Sequence, residues 1–344
     1  MARFGRWRIL AAMTAALVVW PLPPANAIGL AGADIAANLQ AQIDAEPTAQ
    51  YRITVRELGG DARQLDIGAH DALEPASSIK AFYAWLVLRR VDEGSLRLAD
   101  PLAHGLTWGS CLRLMIVVSD NLCSADIRES LGNVWVNRQL ADAGFADTRV
   151  LTHSGVYIGK RSSTADLAEL FVRLESGTLL SPDSTTAFHN LLRAQVWRTR
   201  VTAGVPAGVR VEDKPGILAI DSGMVNTDVA IVRATTATYV IAVIGDHDAT
   251  REGIARLSRT VYEGLTGELG YVGAAFPSEQ FIVRKGAALA RSFGGPTIAT
   301  LDRARRAHLT YTERDRAFVT VDGIGKRWVS WSKLRLAASY RWRG

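Results

Sequence analysis

The sequence predicts an α/β chain of the α+β kind: an antiparallel sheet drawn from both ends of one domain, flanked by helices and interrupted by an all-helical insertion, with a small C-terminal β module behind it. Three observations lead there. Alternating runs give way to a long block at helical spacing, and apolar β-branched runs follow that block. The order strands, helices, strands, helix is that of a sheet assembled from distant chain segments. Charge is also divided: residues 271–344 hold 14 Lys and Arg against 5 Asp and Glu, whereas residues 28–270 hold 23 against 29. That break puts a boundary near residue 270. A chain of 344 residues that is 48% hydrophobic and 22% charged is neither a disordered tail nor a collagen-like rod.

The first residues read as an address rather than as fold. Arg3, Arg6 and Arg8 precede the run Ile9 to Trp20, apolar except for Thr14, and Ala25-Asn26-Ala27 is a small-x-small cleavage pattern. Residues 1–27 are therefore expected to be a signal peptide and the protein to be exported, periplasmic or secreted. The apolar run is short of the about 20 residues a membrane-spanning helix needs.

Tyr51, Ile53 and Val55 alternate with polar residues, as do Leu65 and Ile67, around Gly59-Gly60-Asp61: a β-hairpin. Ile79, Phe82, Tyr83, Leu86, Val87 and Val91 recur at helical spacing over 76–91, and Gly94 stops that helix. Further helices are expected over 112–118, 124–131, 134–143, 164–174 and 184–196, with Thr164 as an N-cap. Residues 228–234 and 239–245 read as buried strands, and 249–265 as a closing helix. The tail holds strand-like runs at 309–312, 317–321 and 327–336 and a turn at Asp322-Gly323. The domains are thus 28–268, and 275–338 for the basic β module.

Eleven residues separate Cys111 from Cys123. One straight helix would hold them about 18 Å apart, beyond bridging range, so a disulfide requires the chain to reverse between them. Export favours the bridge; two unpaired thiols are the alternative. With no Cys-x-x-Cys, a zinc ribbon or thioredoxin-type site is excluded.

Ser77-Ser78-Ile79-Lys80 opens the first long helix, with Ser77 and Lys80 on one turn. A serine hydroxyl needs a base to become a nucleophile, and a lysine of lowered pKa can be that base. The amides of a helix N-terminus can hold an oxyanion. Ser330-Trp331-Ser332-Lys333 repeats the spacing in a strand-like run, where Ser330 and Lys333 would face opposite sides. The first match is followed by Ser119-Asp120-Asn121 and then Lys214-Pro215-Gly216. Ser-x-x-Lys, Ser-Asp-Asn and Lys-x-Gly, in that order, resemble the signature of class A β-lactamases and their relatives the D-alanyl-D-alanine peptidases. The resemblance spans roughly residues 30–268.

It implies a β-lactamase/transpeptidase-like fold, with Ser77 as the acylated nucleophile and Lys80 as its base or proton relay. Ser119 would pass a proton to the leaving nitrogen, Asn121 would bind the substrate amide, and Asp120 would brace the loop. Lys214 would help hold the substrate carboxylate. The amides of Ser77 and Ile217, beside Gly216, would form the oxyanion hole. No cofactor or metal is implied. Three departures stand out, the first a spacing from Ser77 to Ser119 shorter than expected of a classical β-lactamase, which implies a trimmed helical domain. Pro215 occupies the place of a Thr or Ser and lacks its hydroxyl, although proline is tolerated on an edge strand. The stretch 148–163, expected to be a loop, contains no carboxylate to activate a deacylating water; His153 is the other titratable candidate there.

Rival chemistries fare worse. No Gly-x-Ser-x-Gly elbow, His-x-x-x-His pair or phosphate-binding glycine loop occurs, and Asp246-His247-Asp248 reads as a strand end whose Asp248 caps the next helix. Trp328, Trp331 and Trp342 stand among arginines, and 322–334 resembles the ending of bacterial SH3-like cell-wall modules. Attachment to anionic wall polymer is one reading of that module, a solvated appendage the other; nucleic acid is not an expected partner. The sequence thus points to an exported serine hydrolase that forms an acyl-enzyme with β-lactams. The alternatives are a D-alanyl-D-alanine carboxypeptidase or endopeptidase acting on muropeptides, and a catalytically quiet penicillin-binding wall sensor.

Overall fold

The hairpin read from the sequence is formed by β1 (Gln50–Glu57) and β2 (Gln64–Ile67), with Ile53 opposite Ile67 and Val55 opposite Leu65. The computed structural model describes residues 29–274 and 281–337; the leader at 1–27 and residues 275–280 and 338–344, within the expected module's edges, lie outside them. From the far end of the domain, β9 (Gly223–Arg233) and β10 (Thr238–Asp246) complete the sheet. β10 lies antiparallel to β1, with Ile53 opposite Val243. The order is β2-β1-β10-β9, and β7 (Arg210–Asp213) and β8 (Gly216–Ile220) both pair with the outer side of β9.

Period-two alternation gives the central strands two buried faces. Val240, Ala242 and Ile244 of β10 join the core of the helical insertion. Tyr239, Ile241 and Val243 join the core under α1 (Gly32–Asp44) and α8 (Arg251–Thr266). Helix α8 presents Ile254, Leu257, Val261 and Leu265 to that core. It starts where Thr250 Oγ1 accepts the Gly253 amide and stops at Gly267, whose φ of 70° suits glycine. Asp248 does not cap it as expected; its carboxylate instead accepts the Met224 amide at 2.9 Å.

The insertion contains α2 (Lys80–Asp92), entered by a 3₁₀ turn over Ala76–Ile79, then the short strands β3 (Pro101–Ala103) and β4 (Leu106–Thr107). Next come α3 (Trp108–Val117), α4 (Asn121–Leu131) and α5 (Asn133–Asp142). Residues 80–88 of α2 are buried without a break, so this is a core helix rather than an amphipathic surface one. The turn from α3 into α4 brings the Cys111 and Cys123 Cα atoms to 5.0 Å in a disulfide, through the reversal such a bridge requires.

Residues 149–161 are not a loop but a hairpin, β5 (Arg149–His153) and β6 (Val156–Arg161), turning at Ser154-Gly155. The helices α6 (Thr164–Glu175) and α7 (Pro182–Arg193) follow. The cap of α6 is Ser163 rather than Thr164, because the Thr164 hydroxyl is taken by Thr54 of β1 at 2.9 Å.

The C-terminal module is a seven-stranded sheet of β11 (Phe281–Val283), β12 (Ala288–Ala290), β13 (Thr297–Thr300), β14 (Arg305–Glu313), β15 (Arg316–Val321), β16 (Gly325–Ser330) and β17 (Leu334–Leu336). Ala307, Leu309, Ala317, Val319 and Val321 turn inward on alternate positions. The run 327–336 is not one strand: a 3₁₀ turn at Trp331–Lys333 divides it, and the second Ser-x-x-Lys runs from the last residue of β16 to the end of that turn. Among the described residues no helix is long and apolar enough to cross a membrane.

A buried ion cluster ties α6 and α7 to the sheet. Glu212 of β7 receives His189 at 2.6 Å and Arg193 at 2.8 Å, and Arg233 of β9 reaches both Glu212 and Glu175 of α6. Burial raises the Glu212 carboxyl; the bonds from His189 and Arg193 and the charge of Arg233 overcome it and hold it at about 2. Its stabilisation is therefore present above its ordinary pKa of 4.5 and is lost as pH falls toward about 2. Denaturant melts across that window should lose up to about 3 kcal/mol through this group, and Glu212→Gln should flatten the slope. An unchanged slope in that variant would contradict this role.

Candidate active site

The turn that carries Ser77 is held from both sides. Ala76 sits at a φ of 46°, and its amide donates to Glu74 Oε1 at 3.0 Å. The next serine, Ser78, points inward and is fully buried. Its hydroxyl lies 2.9 Å from the Lys214 carbonyl and 2.7 Å from Thr227 Oγ1, which in turn lies 3.0 Å from the Pro75 carbonyl. Ser78 and Thr227 thus pin the start of α2 to the edge of the sheet, leaving Ser77 half-buried at a cavity wall.

Lys80, one turn on, is buried beneath it. Its Nζ donates to the Ser119 carbonyl at 2.7 Å, to Ser119 Oγ at 3.3 Å and to Asn121 Oδ1 at 2.7 Å. Burial, aided by the nearby charge of Lys214, pushes its ammonium well below the usual lysine range, with Asp120 opposing. Lys214 is also fully buried and donates to Ser119 Oγ at 3.0 Å and to the Pro215 carbonyl at 2.8 Å. Burial brings it down to about 7, against the raising charges of Asp228 and Asp213. One hydroxyl therefore stands between two amines. With both donating to its lone pairs, the Ser119 proton is free for a third partner. The loop that offers it bends through Ser119 at a φ of 61°.

Pro215 leaves the sheet intact. Asp213 faces Ala230 and Gly216 faces Thr227, so β7 and β8 are one edge strand in unbroken register. The Lys214 amide donates inward to the Val229 carbonyl at 2.9 Å. Alternate amides of an antiparallel strand point opposite ways; the Pro215 nitrogen thus lies on the outer side, where β9 needs no donor, and the Ile217 amide points outward too. Gly216 is pressed against the nucleophile turn: a Cβ there would lie 2.5 Å from the Ser77 amide nitrogen.

Ser77, Lys80, Asn121 and Ile217 line a cavity of about 270 Å³, whereas Ser119, Lys214 and Gly216 stand behind its lining. Its other wall was not read from the sequence. Tyr157 and Lys160 arrive from the β5–β6 hairpin, and Arg128 from α4 stacks over the Tyr157 ring at 4.2 Å. Lys160 is paired with Glu74 at 2.6 Å. Tyr83, also in the lining, has a buried hydroxyl without a protein partner. Arg128 and Lys160 are cations, and none of the lining residues is an Asp or Glu. His153 is exposed on the hairpin and is not in the lining. The one signal for Lys160 and Tyr157 was the Ser154-Gly155 turn. Ser78 and Thr227 had no signal beyond polarity inside apolar stretches. Among the described residues no cluster suited to a metal ion occurs.

The crowding at Gly216 gives a direct test. Gly216→Ala must displace the Ser77 turn or the strand, so acylation of Ser77 should drop by about a hundredfold or more, with a lowered Tm. Acylation within threefold of the wild type would show that the Ser77 amide is not used.

A search of curated proteins finds no match. Solved structures do match in fold. PBP-A is 23% identical, with 68% of this chain and 97% of that one covered, at a TM-score of 0.62. An acyl-enzyme complex of a PBP-A mutant with penicillin-G is 24% identical over 69% and 97%, at 0.61. A β-lactamase from Sphaerobacter thermophilus is 21% identical over 68% and 99%, at 0.60. At such identities the likeness is one of fold. The profile of the Beta-lactamase enzyme family matches residues 34–265, about two thirds of the chain, and the chain belongs to that family.

Proposed function

We propose that this protein is an exported serine hydrolase that acylates Ser77 with β-lactams and releases the acyl group slowly. The observation that carries this reading is the convergence of Lys80 and Lys214 on Ser119 Oγ, beside a cavity that contains Ser77 and no carboxylate. As a neutral amine with two N–H groups, Lys80 keeps two of its three bonds, turns its lone pair to Ser77 and takes the proton as Oγ bonds to the carbonyl carbon. The outward amide of Ile217 and that of Ser77 receive the oxyanion. The C–N bond then breaks, and Ser119 gives its proton to the leaving nitrogen and regains one from Lys80. Asn121, though engaged by Lys80, is in the lining and positioned to meet the acyl amide. The cationic lining suits a substrate that carries a carboxylate. Release of the acyl group needs an activated water. With Glu74 engaged by Lys160 and the Ala76 amide, no free carboxylate is at hand for it. The disulfide accords with an oxidising compartment outside the cytoplasm.

A second reading, hydrolysis of a D-alanyl-D-alanine bond in muropeptides, uses the same steps. The exposed apolar edge of β8, with Ile217, Leu218 and Ile220 at its surface, favours it, since an extended peptide can lie along a free strand edge.

Intact-mass spectrometry of the full chain with benzylpenicillin decides the main reading. A covalent adduct on the wild type, absent from Ser77→Ala and persisting for hours, is the expected result. Fast loss of penicillin without an adduct would refute slow deacylation, and intact penicillin without an adduct would refute acylation.

The pH profile should follow the two lysines. Acylation should gain as the depressed Lys80 loses its proton, and an alkaline decline should set in as Lys214, brought down to about 7, loses its charge. Lys214→Arg should abolish the alkaline decline. A decline that survives in that variant would assign the limb to another group.

A further inference from the structure

The C-terminal module reaches the Ser119-Asp120-Asn121 loop. Asp120 is 1% exposed, and its two carboxylate oxygens serve different masters. Oδ1 accepts the Cys123 amide at 2.8 Å and so caps α4. Oδ2 accepts the Thr312 hydroxyl and, at 2.9 Å, the Arg314 amide, both from the β14–β15 hairpin of the module. The Arg314 side chain then closes on Asp126 of α4 through two bonds of 2.9 and 3.1 Å, 19% and 11% of these side chains being exposed. The hairpin tip is itself held, since Arg314 takes a φ of 53° and the Asp315 carbonyl accepts the Trp331 amide at 2.6 Å.

The far side of the same loop and helix forms the site. Ser119 and Asn121 supply the acceptors for Lys80, and Asn121, Ser124, Ala125 and Arg128 line the cavity. The module therefore grips one side of a short segment whose other side holds the general base.

We propose that the C-terminal module is an intramolecular brace for the active site, with Thr312 and Arg314 as positioning residues that hold the Ser119-Asp120-Asn121 loop in its catalytic conformation through Asp120 and Asp126. The physical need is clear. The loop turns through a non-glycine residue at positive φ, and that conformation persists only where surrounding bonds over-determine it. Capping of α4 uses one oxygen of Asp120, and the other, at 1% exposure of the residue, needs donors that the domain itself does not place there. Burial pushes the Asp120 carboxyl up, and the bonds from Cys123, Thr312 and Arg314, with the charge of Lys80, pull it back toward the ionised form. That charge in turn opposes the lowering of Lys80, so the brace also bears on the base.

The inference rests on the proposed roles of Lys80 and Ser119, so it is tested with two readouts on the full chain. Thr312→Val keeps side-chain shape and removes the hydroxyl; Asp126→Asn breaks the Arg314 pair from the opposite side and serves if the first variant fails to fold. Lys326→Ala, on an exposed stretch of β16, is the control. Each brace variant should slow the maximal rate of acylation by benzylpenicillin about tenfold or more, with little change in the concentration for half-maximal rate. Thr312→Ser should restore it. Amide exchange across residues 119–123 should accelerate about tenfold in both variants and stay unchanged in Lys326→Ala. Faster exchange with slower acylation supports the brace. Unchanged exchange overturns it whether or not the wild type reacts, and faster exchange with an unchanged acylation rate overturns its catalytic role. A wild type that is never acylated, with exchange behaving as expected, would instead refute the functional reading and leave the brace standing as a loop-holding device.

Discussion

Two lysine side chains, both fully buried, converge on a single serine hydroxyl. Neither has a carboxylate in hydrogen-bond contact: the Lys80 partners are a carbonyl, a hydroxyl and an amide oxygen, and those of Lys214 are a hydroxyl and a carbonyl. A cation without a paired anion is costly to bury, and the cost is relieved by deprotonation. A neutral amine is what a serine nucleophile needs, and the proposed function uses Lys80 in that form. Asp213 and Asp228, buried beside Lys214, moderate the effect there, and Asp120 moderates it at Lys80.

Those amines and Ser119 Oγ are held in place from three separate elements. Lys80 comes with the core helix α2, Ser119 with the turn between α3 and α4, and Lys214 with the edge strand. Each is anchored elsewhere. The Cys111–Cys123 bridge closes α3 on α4, the Ser78–Thr227 pair ties α2 to the sheet, and Asp120 ties the turn to α4 and to the module. Anchors of this kind fix the relative positions of groups far apart in sequence, and rates are sensitive to displacements of about 1 Å.

The extent to which the sequence disclosed this depended on whether a signal was local. The hairpin at 50–67, the helix after Ser77 and the two central strands carry their periodicity openly, and the three motifs name Ser77, Lys80, Ser119, Asn121 and Lys214. The order of these motifs gave no distances. Helix α1 escaped because just Ile35 and Leu39 are buried along it, too few to set a period. The β5–β6 hairpin escaped because its strands are short and much of it is exposed, so alternation of apolar and polar residues is weak. Ser78, Thr227 and Thr312 escaped for a different reason. A hydroxyl that ties two distant segments looks, in sequence, like any other hydroxyl, and its meaning lies in the partner. Asp120 illustrates both cases. Its capping role is local and legible, whereas its bonds to residues 312 and 314 cross nearly 200 positions and are not.

Pro215 shows how a departure from a motif can be costly on one side of a strand and free on the other. Its ring nitrogen faces away from β9, and the neighbouring Lys214 amide makes the ladder bond, so the sheet loses nothing. Its carbonyl accepts from Lys214 Nζ at 2.8 Å, which keeps that amine oriented toward Ser119. What is missing lies on the outer side, where a threonine or serine would offer a hydroxyl to a bound carboxylate. On the proposed function, the backbone keeps the geometry for acyl transfer while one element of recognition is removed. Recognition of an anionic substrate then rests on the cations of the cavity, Arg128 and Lys160, which come from α4 and from the hairpin. Both are already engaged, Arg128 with Glu129 and Tyr157 and Lys160 with Glu74. On that proposal a substrate carboxylate would have to compete with those partners, and selectivity would be set by shape and by the exchange of ion pairs rather than by a dedicated hydroxyl.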